Sequence, residues 1–187
     1  MDIIDTIGFN GPVIITVITI IQLFNQYPYL ISFCVFNFIN NKLNEFLKIC
    51  FREPRPEKID LLKEQQKSII TQILNYMDFN KNETITIHPS HIYGMPSGHA
   101  QTGGFALGFL YFVQKPRPMF MLACFVFILS LYERWNTKKH TMFQLFIGSI
   151  VGFIFAGFAY YGTKNYLYTK VTLSDMTDFI FKSKYLD

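Results

Sequence analysis

Long apolar runs separated by short polar breaks dominate this sequence and limit the folds that it can form. A helix that crosses a bilayer needs roughly 20 mostly apolar residues. Several stretches come near that length, and the breaks between them contain Asn, Pro and Lys. The predicted spans are residues 5–24, 27–48, 98–114, 117–133 and 140–162. The pattern predicts an all-α fold, a polytopic transmembrane helical bundle of about five to six spans that forms a single domain.

The composition agrees with a membrane protein and argues against a nucleic-acid-binding one. Half of the residues are hydrophobic, and 21 Phe are more than a soluble domain of 187 residues normally carries. The net charge is only +4, and the basic residues lie between the apolar runs instead of forming a tail. Asp2 and Asp5 occupy the place where a signal peptide has Lys or Arg, so we expect a first span and not a removed leader.

The individual spans differ in how clearly they are marked. The third and fourth are short, and a soluble core helix is an alternative for each. The fifth is long and uncharged, and Gly148, Gly152 and Ala156 recur in it every four residues. Such a stripe of small residues predicts close packing of two helices. Residues 163–187 are too polar to count as a sixth span and are predicted to form a C-terminal tail.

A polar segment of a different kind lies between the second and third spans. Apolar residues recur with a helical period over residues 57–78, which predicts an amphipathic helix on the membrane surface or over one end of the bundle. In the turn-rich loop that follows, His88 and His91 could bind a metal together with His99. Because no carboxylate or cysteine lies near them, we expect loop histidines, no metal and no other cofactor. Asn82 begins a glycosylation triplet that is used only if it faces a secretory lumen.

Three short polar motifs occupy the breaks between the spans. The first motif is Lys48 at the end of the second span, with Arg55 after it. The second is the sequence Pro96-Ser97-Gly98-His99 at the start of the third span. The third is Arg134 after the fourth span and His140 at the start of the fifth. If the spans alternate in direction, all three places emerge on one side of the membrane. The count of spans therefore predicts that the motifs converge at one membrane face.

Each group in these motifs suits the binding of a phosphate. Ser97 can cap the third helix, and Gly98 allows its backbone N–H groups to come close to an anion. Arg55 and Arg134 offer planar pairs of donors that match phosphate oxygens, while Lys48 adds a compact charge.

The two histidines can then perform the chemistry of phosphate transfer without a metal. With the negative charge offset, His140 can attack phosphorus as a neutral imidazole and form a phosphohistidine. His99 can protonate the leaving oxygen and later activate water. On the second helix we expect Asn37, Asn41 and Asn44 to face inward with the cation, because polar groups at that depth are costly against lipid.

The motifs resemble the three signatures of the type 2 phosphatidic acid phosphatase superfamily, in the same order and spacing. The strings NKLNEFLKICFREPRP, YGMPSGHAQ and KHTMFQLFIG are most similar to its dolichyl-diphosphatase branch. The resemblance covers roughly residues 40–152 and implies a helical phosphatase, with a site that faces the lumen of the endoplasmic reticulum or an equivalent internal membrane. It implies His140 as nucleophile and His99 as acid and base. The residues implied to hold phosphate are Lys48, Arg55, Ser97, Gly98 and Arg134.

Two positions depart from the general pattern of that superfamily. Gln144 stands where many members have an Asp that orients the nucleophile, and its carbonyl can still accept from the histidine N–H. We therefore place Gln144 with the catalytic residues. Glu133 stands where a Ser usually precedes the arginine, and it either pairs with Arg134 and weakens the hold on phosphate or faces away.

Three functions are compatible with the sequence. The favoured one is a membrane phosphatase that hydrolyses a polyprenyl or dolichyl diphosphate, whose lipid tail stays in the bilayer. A broad phosphatidate-type lipid phosphatase would use the same cations and histidines. The third is a catalytically dead phosphate-binding membrane protein. The expected partners are thus a lipid phosphate and the membrane, and the sequence does not set an oligomeric state.

Overall fold

A computed structural model describes residues 3–56, 93–113 and 118–183, and within these ranges every regular element is a helix. The all-α fold class is therefore confirmed for the described residues. The predicted amphipathic helix at 57–78, Asn82, His88 and His91 lie outside them. The helices are α1 (Ile3–Phe9), α2 (Gly11–Leu23), α3 (Tyr27–Phe51), α4 (Gly98–Val113), α5 (Pro118–Asn136) and α6 (Met142–Ser183).

The first apolar run forms two helices where the sequence predicts one span over residues 5–24. The Asn10 side chain donates to the carbonyl of Thr6 at 2.9 Å, and Pro12 lies in the first turn of α2, where its missing N–H costs nothing. α1 packs on α5, whereas α2 packs on both α4 and α5. Since α2 has only 13 residues, it is shorter than a helix needs to be to cross a bilayer.

Two of the described helices are long and apolar enough to cross a membrane. They are α5 and the first part of α6, Met142–Leu167. α3 has the length, but it carries Asn40, Asn44 and Lys48 on its buried face. α4 has 16 residues, fewer than a crossing needs. The number of five to six spans is therefore not confirmed by the lengths and composition of these helices.

α4 forms the centre of the bundle, and α2, α3, α5 and α6 all pack against it. Phe105 and Phe109 of α4 are fully buried, and both contact the ring of Phe33 from α3, with centroids 5.7 and 5.5 Å apart. Aromatic pairs at these distances add to the burial of apolar area. The core therefore fixes α3 beside α4.

α4 and α6 approach each other so closely that glycine is required at the contact. A Cβ atom on Gly152 would lie 2.1 Å from the carbonyl oxygen of Gln101, and one on Gly148 would lie 2.6 Å from that of Ser97. From the other side, a Cβ on Gly104 would lie 2.5 Å from the carbonyl oxygen of Ser149. The close approach predicted from the small-residue stripe is confirmed. It brings the first turns of α4 and α6 together.

The last helix continues further than the sequence predicts. The apolar run ends near residue 162, but α6 extends without interruption to Ser183. Residues 163–183, expected as part of a C-terminal tail, therefore continue the helix.

Candidate active site

The three polar motifs meet at one end of the bundle. Lys48 lies in the last turn of α3, Arg134 near the end of α5, and His140 just before α6. His99 is in the first turn of α4, and Arg55 follows α3. The structure thus brings the predicted residues together at the same end of the bundle of α3, α4, α5 and α6.

The start of α4 is fixed by contacts with the start of α6. The N–H of Ser97 donates to the carbonyl oxygen of Gln144 at 3.2 Å, and Ser97 is fully buried. Its hydroxyl accepts the N–H of Ala100 in a long hydrogen bond of 3.5 Å, which is a weak cap. The N–H groups of Gly98 and His99 have no acceptor in their own helix, so they are available to an anion.

Glycine at position 98 leaves space beside the amine of Lys48. A Cβ atom there would lie 3.1 Å from Asn44 Oδ1 and 3.9 Å from Lys48 Nζ. Lys48 is itself buried, with 6% of its surface exposed. The helix start and the lysine therefore form adjacent walls of the same site.

A chain of amide hydrogen bonds holds the inward face of α3 against α4. Asn44 Nδ2 donates to the carbonyl of Pro96 at 3.1 Å and to Gln101 Oε1 at 2.8 Å. Gln101 Nε2 in turn donates to Asn40 Oδ1 at 2.9 Å. Because buried polar groups need partners, this network fixes the depth and rotation of the helix that carries Lys48.

The expected inward stripe of asparagines is wrong at one position. Asn41 is exposed and accepts a hydrogen bond from Thr102 Oγ1 at 3.1 Å at the edge of the contact. Asn40 is fully buried in its place, and Asn37 is half-buried. Asn40, Asn44 and Lys48 are spaced by four residues, which keeps them on one face, whereas Asn41 is rotated by about 100°.

Arg134 and His99 are in direct contact under the end of α1. Arg134 Nη2 donates a hydrogen bond to His99 Nε2, and the His99 ring also makes a hydrogen bond with the backbone of Phe9. The Arg134 guanidinium carbon lies 4.9 Å from the centre of the Phe9 ring, and Lys139 Nζ lies 5.6 Å from it. Such cation–π contacts hold both cations beside His99. Phe9 was not predicted as a site residue, since nothing in a short apolar run marks it.

Glu133 pairs with Arg134, which decides between the two alternatives left by the sequence. Glu133 Oε2 lies 3.1 Å from Arg134 Nε, although the N–H does not point at the oxygen, so the contact is an ion pair without a hydrogen bond. Both side chains are almost fully buried. Gly8 of α1 packs on the pair, since a Cβ there would lie 2.7 Å from Glu133 Cβ.

Gln144 closes the start of α6 and contacts His140 at the same time. Its Oε1 accepts from His140 Nδ1 at 3.2 Å and from the N–H of Thr141 at 3.3 Å. Thr141 Oγ1 accepts the N–H of Gln144 at 3.2 Å, which completes a capping box. The helix cap thus places the glutamine beside the imidazole.

The partners of Gln144 Nε2 assign the orientation of the amide. It lies 2.8 Å from Glu53 Oε1 and 3.1 Å from the carbonyl oxygen of Pro54, and both of these are acceptors. The amide nitrogen therefore faces Glu53, and the amide oxygen faces His140. It follows that Nδ1 of His140 carries the proton and Nε2 carries the lone pair.

The surroundings of His140 keep its imidazole neutral. Burial, followed by the positive charge of Arg55, lowers the pKa of His140 to about 3. The hydrogen bond to Gln144 opposes this shift, and Lys48 and Arg134 add to it. At neutral pH the ring is therefore uncharged, although cations surround it.

Glu53 and Gly94 are site residues that the sequence analysis missed. Pro54 and Tyr93 pair in an isolated antiparallel bridge, and the N–H of Gly94 donates to the carbonyl of Glu53 at 2.8 Å. A Cβ on Gly94 would lie 2.6 Å from Gln144 Oε1. The only signal available was the position of Glu53 within the string REPRP, two residues before Arg55.

An apolar cleft of about 430 Å³ begins close to the site, between α4, α5 and α6. Its near end is at Gly104, six residues after Gly98, which corresponds to roughly 9 Å along the helix. The wall is formed by apolar and aromatic side chains, among them Leu107, Tyr111, Phe120, Phe127, Phe146 and Ile154. Within the described ranges, no group of three or more His, Cys, Asp or Glu side chains could hold a metal ion.

Comparison with known proteins gives one match. The sequence model of the PAP2 superfamily matches residues 28–167, a range that includes all the predicted site residues. No curated protein and no solved structure matches the chain significantly.

Proposed function

We propose, from the premise that the chain belongs to the PAP2 superfamily, that it is an integral-membrane lipid phosphatase which works through a phosphohistidine. Members of this superfamily are generally phosphatases that act on lipid phosphates. The observation that carries the proposal is the state of His140. Its ring is neutral, and Nδ1 donates a hydrogen bond to Gln144, which leaves the lone pair on Nε2. The positive charges of Lys48, Arg55 and Arg134 act on the ring.

In the first step the site binds a phosphate and transfers it to the protein. Lys48, Arg55, Arg134 and the first N–H groups of α4 hold the phosphate oxygens. The lone pair on His140 Nε2 forms a bond to phosphorus, and the bond between phosphorus and the leaving oxygen breaks. His99 donates a proton to that oxygen.

In the second step water removes the phosphate from the histidine. His99, now without its proton, takes one from water, and the hydroxide attacks phosphorus while the bond to Nε2 breaks. Inorganic phosphate leaves, and both histidines return to their starting states. Both steps use His99 Nε2, which accepts a hydrogen bond from Arg134 in the structure and therefore carries no proton there. A bound phosphate attracts the guanidinium through the same donors and thereby releases His99 Nε2. The negative charge of the phosphate then favours the protonated ring, so His99 takes up from solvent the proton that it gives to the leaving oxygen.

The outer surface and the cleft support a lipid substrate. Large apolar side chains such as Phe38, Ile128 and Phe158 are 66%, 62% and 70% exposed, as expected for helices that contact lipid. The apolar cleft lies beside α4, where a tail attached to the bound phosphate could extend. We propose a multi-pass protein of about five to six spans. Its partners are the membrane and a lipid phosphate, and nucleic acid is not among them.

Among lipid phosphates we favour a polyprenyl diphosphate, because three sequence strings resemble the dolichyl-diphosphatase branch. The same resemblance proposes the endoplasmic reticulum or an equivalent internal membrane as the host. The chemistry requires neither a metal nor another cofactor, since the charges come from side chains.

The test is phosphate release by the purified protein in detergent, with a chelator present, from a polyprenyl diphosphate and from phosphatidate. We expect faster release from the diphosphate and loss of release in His140→Ala. Lys48→Ala should raise KM, whereas Lys42→Ala removes an exposed lysine of the same helix and should not. Preference for phosphatidate would favour the broader lipid phosphatase. No release by folded protein from either lipid would favour the phosphate-binding protein.

A further inference from the structure

We propose that Glu53 is a positioning residue for the nucleophile. Its carboxylate fixes the amide of Gln144, and through it the tautomer and orientation of His140. The contact that carries this inference is the 2.8 Å hydrogen bond from Gln144 Nε2 to Glu53 Oε1. The inference rests on the proposed function, in which His140 Nε2 attacks phosphorus.

The side-chain amide of Gln144 needs a second hydrogen-bond partner because it can rotate by about 180° and exchange the positions of its oxygen and nitrogen. With its ends exchanged, the amide would point N–H groups at His140 Nδ1 and at the N–H of Thr141. The capping box resists this exchange from one side. Glu53 resists it from the other, because the exchange would bring the amide oxygen against a carboxylate.

Glu53 also supplies a charge that Gln144 lacks. When His140 forms a bond to phosphorus its ring becomes positive, and an Asp at position 144 would stabilise that charge directly. Here a neutral amide contacts the ring, and the carboxylate stands directly behind the amide. The amide thus transmits the polarisation of the carboxylate to Nδ1. Together the two side chains provide the acceptor and the charge that a single acid provides elsewhere.

The segment around Glu53 is held firmly enough for this role. The carbonyl of Glu53 accepts from the N–H of Gly94, and its neighbour Pro54 pairs with Tyr93. The carbonyl oxygen of Pro54 accepts the second N–H of the amide at 3.1 Å. Backbone and side chain therefore converge on the same nitrogen.

The first experiment removes the acceptor and measures steady-state kinetics. Glu53→Leu should lower kcat on the order of 10- to 100-fold, by analogy with the loss of an outer hydrogen-bond partner of a metal-bound histidine. KM should change by no more than about twofold, since the phosphate-binding groups stay in place. Glu45→Leu removes a carboxylate of α3 that pairs with Lys42 and has no contact with Gln144, so it should leave kcat unchanged; its charge acts on Lys48, so the comparison is made on kcat and not on KM. A kcat within twofold of wild type in Glu53→Leu would overturn the proposal.

The second experiment exchanges the charges. Gln144→Glu keeps the capping box and the acceptor for His140, but it places two carboxylates in contact. We expect activity only at acidic pH, where the pair shares a proton. Adding Glu53→Gln supplies an amide that donates to the carboxylate at position 144, so activity should return at neutral pH. The recovery should be partial, because the carbonyl oxygen of Pro54 then faces a carboxylate oxygen instead of an N–H group. If Gln144→Glu has the pH profile of wild type, Glu53 does not influence the side chain at position 144, and the proposal is refuted.

A spectroscopic measurement separates this proposal from the proposed function. Nitrogen-15 chemical shifts of the imidazole distinguish the Nδ1–H tautomer from the Nε2–H tautomer, whether or not the protein turns over any substrate. His140 should be in the Nδ1–H form in wild type and become a mixture in Glu53→Leu, with His140→Ala used to assign its signals. An unchanged tautomer would refute the positioning role even in an active enzyme. A changed tautomer in a protein without phosphatase activity would support the role and count against the proposed function. If Glu53→Leu does not fold, Glu53→Gln, which can present either end of its amide, gives the same readout.

Discussion

A single methyl group at position 152 should loosen the bundle and the site together. In Gly152→Ala the new Cβ would lie 2.1 Å from the carbonyl oxygen of Gln101 and 2.7 Å from the N of Phe105. Ordinary contact begins at 3.4 Å, so the first overlap is about 1.3 Å. Both atoms belong to the backbone of α4, which cannot move aside locally, and the helices have to separate.

The size of the effect follows from the balance of two terms. Overpacking of this kind costs about 1 to 3 kcal/mol, and the overlap with backbone puts this site at the upper end. Alanine recovers about 1 kcal/mol through its better helix propensity. A net loss of about 2 kcal/mol should lower the apparent melting temperature by on the order of 5 °C for a chain of this size. The separation also stretches the 3.2 Å bond from Ser97 to Gln144, so kcat should fall below that of wild type.

The assay compares thermal unfolding of wild type, Gly152→Ala and Gly162→Ala in the same detergent. Gly162 lies in the same helix, and a Cβ atom added there would have no neighbour within 4 Å, so alanine should leave stability unchanged or raise it slightly. If Gly152→Ala melts at or above Gly162→Ala, the close contact of α4 and α6 is not as described.

Three further predictions concern the site. Gly94→Ala brings a Cβ to 2.6 Å from Gln144 Oε1, so kcat should fall with little change in KM; equal kcat would mean that the amide can move without loss. The pKa of His140 is lowered to about 3, so as pH falls from about 6.5 toward 3 the unfolded chain binds a proton that the folded one does not, and stability decreases. Between pH 7 and pH 4 the melting temperature of wild type should therefore fall more than that of His140→Asn, and parallel curves would contradict the shift. Glu133→Gln removes the anion paired with Arg134 and should cost about 3 kcal/mol of stability, while added phosphate should raise the melting temperature more than in wild type. An equal phosphate response would show that the pair does not compete with phosphate.

The sequence was sufficient for the features that depend on local pattern. Helical class, the position of the three motifs and the tight packing of Gly148 and Gly152 follow from periodicity and from small residues at regular spacing. The convergence of the motifs follows from the alternation of helices. The helical class and the small-residue spacing are properties of residues close in the chain, and the convergence needs only the antiparallel order of successive helices; the structure agrees with each of them.

The features that the sequence did not reveal depend on contacts between distant residues. Glu53 and Gln144 are far apart in the chain, and nothing local marks the hydrogen bond between them. Asn40 and Asn41 are adjacent and alike in composition, so only the rotation of α3 against Gln101 decides which one is buried. The break at Asn10 was not predicted because Gly and Pro also occur within membrane helices. The close contact of Gly11 with Ser130, which favours the break, joins residues that are far apart in the chain.

The pairing of Pro54 with Tyr93 fixes two parts of the chain, far apart in the sequence, beside the acceptor of His140. Pro54 itself accepts a hydrogen bond from Gln144, and Gly94, next to Tyr93, packs on the same amide. A substitution that breaks this bridge would therefore disturb the histidine without touching any group that binds phosphate. The bridge is a place where the reactivity of the site can be tuned separately from its affinity.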